Sequence, residues 1–113
     1  MKMIVAIIQP DRLDPVREAL IRAEITRITV SRCAGRGRAQ ETYLYRGEVV
    51  PPTLHPQVRL EIACNDAFVE ITVNAILGAA RRDGGKTGDG KIFILPLEEC
   101  IRISNGERGG EAI

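Results

Sequence analysis

Two runs of nearly unbroken apolar residues constrain this chain more than any other feature: Met3-Ile4-Val5-Ala6-Ile7-Ile8 near its start and Ile92-Phe93-Ile94-Leu95 near its end. Both have strand length, and neither alternates apolar with polar residues as a strand with one wet face does. Each therefore has to be covered on both sides. The first run is too short to span a membrane, and no small-residue cleavage site of a signal peptide follows it, so it reads as the first strand of a cytoplasmic protein.

The remaining elements follow from periodicity. Residues 2 to 9 form the first strand, ended by Pro10. Asp11 or Asp14 caps a helix with Pro15 in its first turn, and Leu13, Val16, Leu20 and Ala23 repeat at helical spacing until it ends near Glu24. Ile28 to Gly35 is a second strand. Gln57 to Cys64 is a third, in which Val58, Leu60 and Ile62 alternate with Arg59 and Glu61. Asn65 or Asp66 caps a second helix that runs through Ala80 and packs Phe68, Ile71, Thr72 and Ala75 on one face. Lys91 to Pro96 is the fourth strand and Cys100 to Ser104 a short edge segment. The order βαββαβ predicts a ferredoxin-like α/β sandwich of the α+β class. Its helices cover one face of the sheet only, and 113 residues, 44% apolar, make a single compact domain. The second face of the apolar strands is most simply covered by another copy of the chain, which predicts a homo-oligomer.

Between the second helix and the fourth strand lies Gly84-Gly85-Lys86-Thr87-Gly88-Asp89-Gly90-Lys91. Glycines let backbone N–H groups converge on an anion, and Lys86 and Lys91 add charge, so the loop is suited to phosphate. It is not a Walker A loop. Ile92 stands where Ser or Thr would hold magnesium, and the loop leaves a helix to open a strand, the reverse of the P-loop order.

Composition removes other classes. A net charge of +1 gives no broad basic field for nucleic acid, although Arg32, Arg36 and Arg38 form one cluster and Arg81, Arg82, Lys86 and Lys91 another. The strands lack the paired aromatics of an RNA-binding βαββαβ domain. Cys33, Cys64 and Cys100 lie too far apart for a metal knuckle and are odd in number, as expected of buried thiols in a reducing compartment. The single histidine, His55, stands between Leu54 and Pro56 and has no nucleophile beside it, so no catalytic residues are assigned. A small nucleotide-hydrolysing enzyme is the alternative that the glycine loop leaves open.

From Arg36 to Pro56 the chain runs longer than the roughly 12 to 15 residues usual for an unstructured connection. It carries Tyr43, Leu44, Tyr45, Val49 and Val50, which suit insertion into a partner. As a hairpin it would reach roughly 30 Å at about 3.3 Å per residue.

These motifs together resemble the PII signalling proteins. They are Gln9-Pro10, Thr29-Val30-Ser31, Gly35-Arg36-Gly37-Arg38, Leu44-Tyr45-Arg46-Gly47, Lys86 to Phe93, and the tail Gly106-Glu107-Arg108-Gly109 with Glu111-Ala112-Ile113. The resemblance spans the whole chain and implies a homotrimer that binds ATP or ADP between subunits, with magnesium possible beside ATP and no confident metal ligand among the protein's side chains. It implies a T-loop at about residues 37–56, a phosphate-binding loop at about 82–91 and a C-terminal loop at about 104–113. By position, Gly88, Asp89, Gly90, Lys91 and Arg102 hold phosphate. Gly35, Gly37 and Arg38 close the site, and Ile7, Thr29, Glu61 and Ala63 surround adenine and ribose. Tyr43, Tyr45, Arg46, Val49 and Val50 belong to the target-binding loop. The target is an ammonium channel by default, or a metabolic enzyme or another transporter, so that membrane contact comes only through a membrane-protein target.

The chain departs from the family pattern at particular positions. The second C-terminal arginine of the family is Ser104 here. The loop is about one residue shorter, with Val50 where many members carry the tyrosine that receives a nucleotidyl group, so uridylylation is expected to be absent. The glutamine that serves magnesium and 2-oxoglutarate falls on Ala39 beside Gln40, and the lysine that pairs with the oxoacid falls on Gln57. A neutral amide is a poor partner for a dicarboxylate, so 2-oxoglutarate sensing is expected to be weak or absent, or another small anion to take its place.

Overall fold

The computed structural model describes residues 1–37 and 53–113 in full and, between them, the backbone of residues 43–45 and 48–50. Strand β1 (Lys2–Ile8) leads through a 3-10 turn (Pro10–Arg12) into α1 (Leu13–Arg22), and β2 (Thr29–Gly35) follows. The short strands β3 (Tyr43–Tyr45) and β4 (Glu48–Val50) pair as a hairpin within the long stretch. Then come β5 (His55–Cys64), a 3-10 turn (Asp66–Phe68), α2 (Val69–Ala80), β6 (Gly90–Pro96) and a last 3-10 turn (Gly109–Ala112).

Four strands form one antiparallel sheet in the order β2-β5-β1-β6, with β1 hydrogen-bonded on both sides so that Val5 faces Glu61 on β5 and Phe93 on β6. With two helices on one side of it, this is the ferredoxin-like arrangement. Strand parity divides the side chains. Ile4, Ala6 and Ile8 of β1 join Val58, Leu60, Ile62 and Cys64 of β5 beneath Val16 and Leu20 of α1 and Ile76 and Ala80 of α2, and this cluster is the core. Burial pushes the Cys64 thiol up from its ordinary pKa. Met3, Ile7, Phe93 and Leu95 fall on the opposite face, where Phe93 is 49% and Leu95 44% exposed. Among the described residues no helix is long and apolar enough to cross a membrane.

Several boundaries differ from the sequence reading. Helix α1 ends at Arg22 instead of Glu24, because Glu24 takes a left-handed φ of 62°. Its N–H then donates to Ile21 O at 2.9 Å and that of Ile25 to Leu20 O at 2.8 Å, a Schellman ending with Glu where Gly is usual. The expected side-chain caps are absent. Asp11 lies inside the 3-10 turn before α1, and neither helix has a side-chain cap hydrogen bond. Asp66 instead accepts the Met1 ammonium at 2.9 Å, which lowers its pKa, and Asn65 Nδ2 donates to Gly110 O at 3.0 Å, tying the C-terminal turn to the start of α2.

The buried stripe of α2 is Thr72, Ile76 and Ala80, with Ala75 partly buried. Phe68 and Ile71 are each 48% exposed. Phe68 belongs to the 3-10 turn, whose tighter winding breaks the 3.6-residue period from which its face was inferred. Thr72 Oγ1 donates to Phe68 O at 2.7 Å, so its buried hydroxyl is satisfied. Cys100 to Ser104 is not a strand. Only Ile101 bridges, to Arg108, around a turn in which Arg102 N–H donates to Glu107 O and Gly106 N–H to Arg102 O, both at 2.8 Å.

Leu20 has no exposed surface and sits at the centre of the α1 packing. Leu20→Ala is expected to destabilise the fold by about 2–5 kcal/mol, read by denaturant unfolding, whereas Ile21→Ala on the exposed side of the same helix should cost far less.

Candidate functional site

At the end of α2 the backbone of Arg81 turns extended, at φ −70° and ψ 133°, and the chain enters a loop with left-handed φ at Asp83, Gly84, Gly85, Gly88 and Gly90. Gly90 is the tightest point. A Cβ there would stand 1.8 Å from Ile7 O, so only glycine lets the loop meet β1 this closely while holding a φ of 119°. Gln9 Nε2 donates to Gly88 O at 2.6 Å and secures the same junction from the end of β1.

The loop is braced from within by Asp89. One carboxylate oxygen accepts Arg82 Nε at 2.6 Å; the other accepts the N–H of Lys86 at 2.8 Å and of Arg82 at 3.2 Å. Those bonds hold the Asp89 pKa down at about 2. Asp89 is thus a structural anion that shapes the loop and is ill-suited to act as a base. Lys91 follows Gly90 in β6 and has no carboxylate partner among the described residues.

The expected site residues fall into separate places. Ile7, Asp89, Gly90 and Lys91 line one cleft of about 420 Å³, together with Arg81 and the apolar side of α2. Thr29, Glu61 and Ala63 line another of about 280 Å³, with Met3, Arg27 and the C-terminal Ile113. Thr29 sits directly opposite Glu61 across β2 and β5, and Ala63 opposite Met3. By strand parity Ile7, Lys91, Met3, Thr29, Glu61 and Ala63 share the sheet face that the helices leave bare, whereas Gly90, opposite Ile8, falls on the face that α2 covers. Glu61 also accepts Arg59 Nε at 2.9 Å, and Arg27 Nη1 donates to Ile113 O. Arg102 is engaged within the C-terminal loop, donating to Glu107 Oε2 and Glu111 O at 2.8 Å each.

Gly35 closes β2 under the Gln57 side chain, whose Oε1 would lie 2.3 Å from an added Cβ, while Gly37 has open space around it. Arg38, Gln40 and Arg46 lie outside the described residues. Tyr43, Tyr45, Val49 and Val50 lie on the paired β3–β4 backbone, Tyr43 opposite Val50, with their side chains outside the described residues. Among the described residues no group of three or more His, Cys, Asp or Glu could hold a metal.

Sequence reasoning assigned no site role to Arg27, Met3, Ile113 or Arg81. The first three reach their cleft only through the sheet and the returning C-terminus. Arg81 was visible within the basic cluster, but nothing in the sequence distinguished it from Arg82.

A family model described as nitrogen regulatory protein P-II matches residues 1–107. The chain belongs to the P-II family. It is 45% identical over its full length to nitrogen regulatory protein GlnK1 of Methanosarcina mazei, covering 97% of that protein. It is 47% and 46% identical to the nitrogen regulatory proteins P-II of Rhodospirillum rubrum and Azospirillum brasilense, over the whole of both chains in each case. The resemblance read from scattered motifs is therefore a full-length relationship, and in this P-II chain the glycine-rich segment before β6 is the one braced by Asp89.

A depressed carboxylate pKa means that the brace is intact above the ordinary carboxylate range and is lost as pH falls through about 2. NMR titration of Asp89 should give a midpoint near 2, and in Arg82→Ala the midpoint should rise toward the ordinary value near 3.8. Equal midpoints in the two proteins would remove Arg82 from the brace.

Proposed function

We propose that this P-II chain is a trimeric signalling protein that binds ATP or ADP between subunits and regulates a target through residues 37–56. The observation that carries this reading is the division of the expected nucleotide residues between two clefts. Ile7, Gly90 and Lys91 line a cleft beside α2 where β1 meets β6; Thr29, Glu61 and Ala63 line another on the bare sheet face. One chain cannot close both around a single small ligand. Head-to-tail copies arranged as a ring would set the phosphate cleft of one against the second cleft of the next. Half-exposed Phe93 and Leu95, with Ile101 and Ile103 beside the C-terminal loop, supply the apolar surface that such packing would bury.

In that assembly Lys91 and the loop from 82 to 91 would hold the phosphates, and Gly35, Gly37 and Arg38 would close the site. Arg102 would add a cation once it exchanges Glu107 for the ligand. Magnesium beside ATP would be carried mainly by the phosphates. Signalling needs no catalytic base, and the one carboxylate in the loop, Asp89, is already bound by Arg82 and backbone. The neutral Gln57 at the base of the loop favours a reading in which 2-oxoglutarate has little grip, and Val50 one without uridylylation. The target is a partner in nitrogen or related metabolism, such as an ammonium channel, reached from the cytoplasm.

Light scattering should give about three times the 12.4 kDa chain mass, and a monomer at micromolar concentration would overturn the assembly. By calorimetry, Lys91→Ala and Arg102→Ala should each weaken ATP about ten- to a hundredfold. Unchanged affinity in both would move the site elsewhere.

A further inference from the structure

Four cations surround the glycine loop, and the structure gives them different tasks. Arg82 has its guanidinium on Asp89 at 2.6 Å and near Thr87 O at 3.4 Å, so it is committed to the brace. Lys86 contributes its backbone N–H to the same carboxylate. Lys91, second in β6, lines the cleft proposed for phosphate. Arg81 is the fourth. It lines that cleft with Lys91, and it forms no ion pair among the described residues. Its aliphatic stem runs past Gly85, with Cδ 3.8 Å and Cγ 3.9 Å from where a Cβ would be. The stem is thus guided along the loop while the planar head stays available.

We propose that Arg81 is a phosphate-contacting residue of the nucleotide site and sets its preference for longer polyphosphates; this rests on the nucleotide-binding reading above and deepens it. A guanidinium presents paired N–H groups that match two phosphate oxygens, and it stays charged at any working pH. Arg102, the other guanidinium expected at the site, already has one Nη on Glu107 and the other on Glu111 O, so part of its donor set is engaged. Arg81 has no ion pair of that kind among the described residues. The adjacent arginines therefore divide the work, Arg82 holding the loop's shape and Arg81 adding the charge that a terminal phosphate needs.

A purely structural task for Arg81 has to be separated from this. It is the C-cap of α2, where a cation offsets the negative end of the helix dipole. Lysine serves that electrostatic task as well as arginine but lacks the fork, so Arg81→Lys distinguishes the two. ATP, ADP and AMP are titrated by calorimetry into the full-length protein, Arg81→Ala, Arg81→Lys and Arg22→Ala, the last removing the same charge from an exposed position on α1. The expected result for Arg81→Ala is a loss of about ten- to a hundredfold for ATP, a smaller loss for ADP and little change for AMP. Arg81→Lys should lie between it and the unaltered protein, and Arg22→Ala should match the latter. ATP affinity that survives Arg81→Ala, equal losses for ATP and AMP, or full retention by Arg81→Lys would each overturn the proposal while leaving nucleotide binding standing. If the unaltered protein bound none of the three nucleotides, the reading beneath it would fall, and the proposal with it.

Discussion

Where β6 begins, its backbone runs against the carbonyl of Ile7, and Gly90 can pass there only because it has no side chain: a Cβ would stand 1.8 Å from that oxygen. The pairing of Ile7 with Lys91 and Ile8 with Gly90 follows from this approach, and so does the register of the entire β1–β6 ladder. The loop before it is held by a carboxylate that uses both its oxygens on loop N–H groups. Lys91 is therefore presented from a firm base, and a preorganised loop pays less entropy when an anion arrives.

The C-terminal side is arranged differently. Arg102 is charge-paired with Glu107 and hydrogen-bonded to Glu111 O, Asn65 holds Gly110, and Arg27 holds the last residue. These contacts fix the tail against the fold through the guanidinium groups of Arg102 and Arg27 and the side-chain amide of Asn65.

Much of the fold was legible because its signals are local. The alternation of Val58, Leu60 and Ile62, the helical spacing of Val16 and Leu20, and the glycines before Lys91 each act within a few residues. The errors came where tertiary contacts compete with local preference. Asn65 and Asp66 look like helix caps, yet one holds the C-terminal turn and the other the chain's first ammonium. Phe68 looks like a core residue, yet a 3-10 turn carries it outward. Asp89 was assigned to the phosphate-wrapping loop without its partners, and its acceptors are filled by Arg82 and Lys86, groups that only the folded loop brings to it.

By itself the sequence determined the strand and helix order, the apolar character of both faces of β1 and β6, and the glycine positions at which the backbone takes a left-handed φ. Those properties depend on periodicity, total apolar content and allowed φ, all of which are written along the chain. Tertiary structure decided which of two neighbouring arginines is bound and which is available, and how the site residues divide between two clefts. It also decided what Arg102 holds in the folded chain. These depend on distances between residues far apart in sequence, and an ion pair of 2.6 Å between Arg82 and Asp89 has no counterpart in spacing or composition.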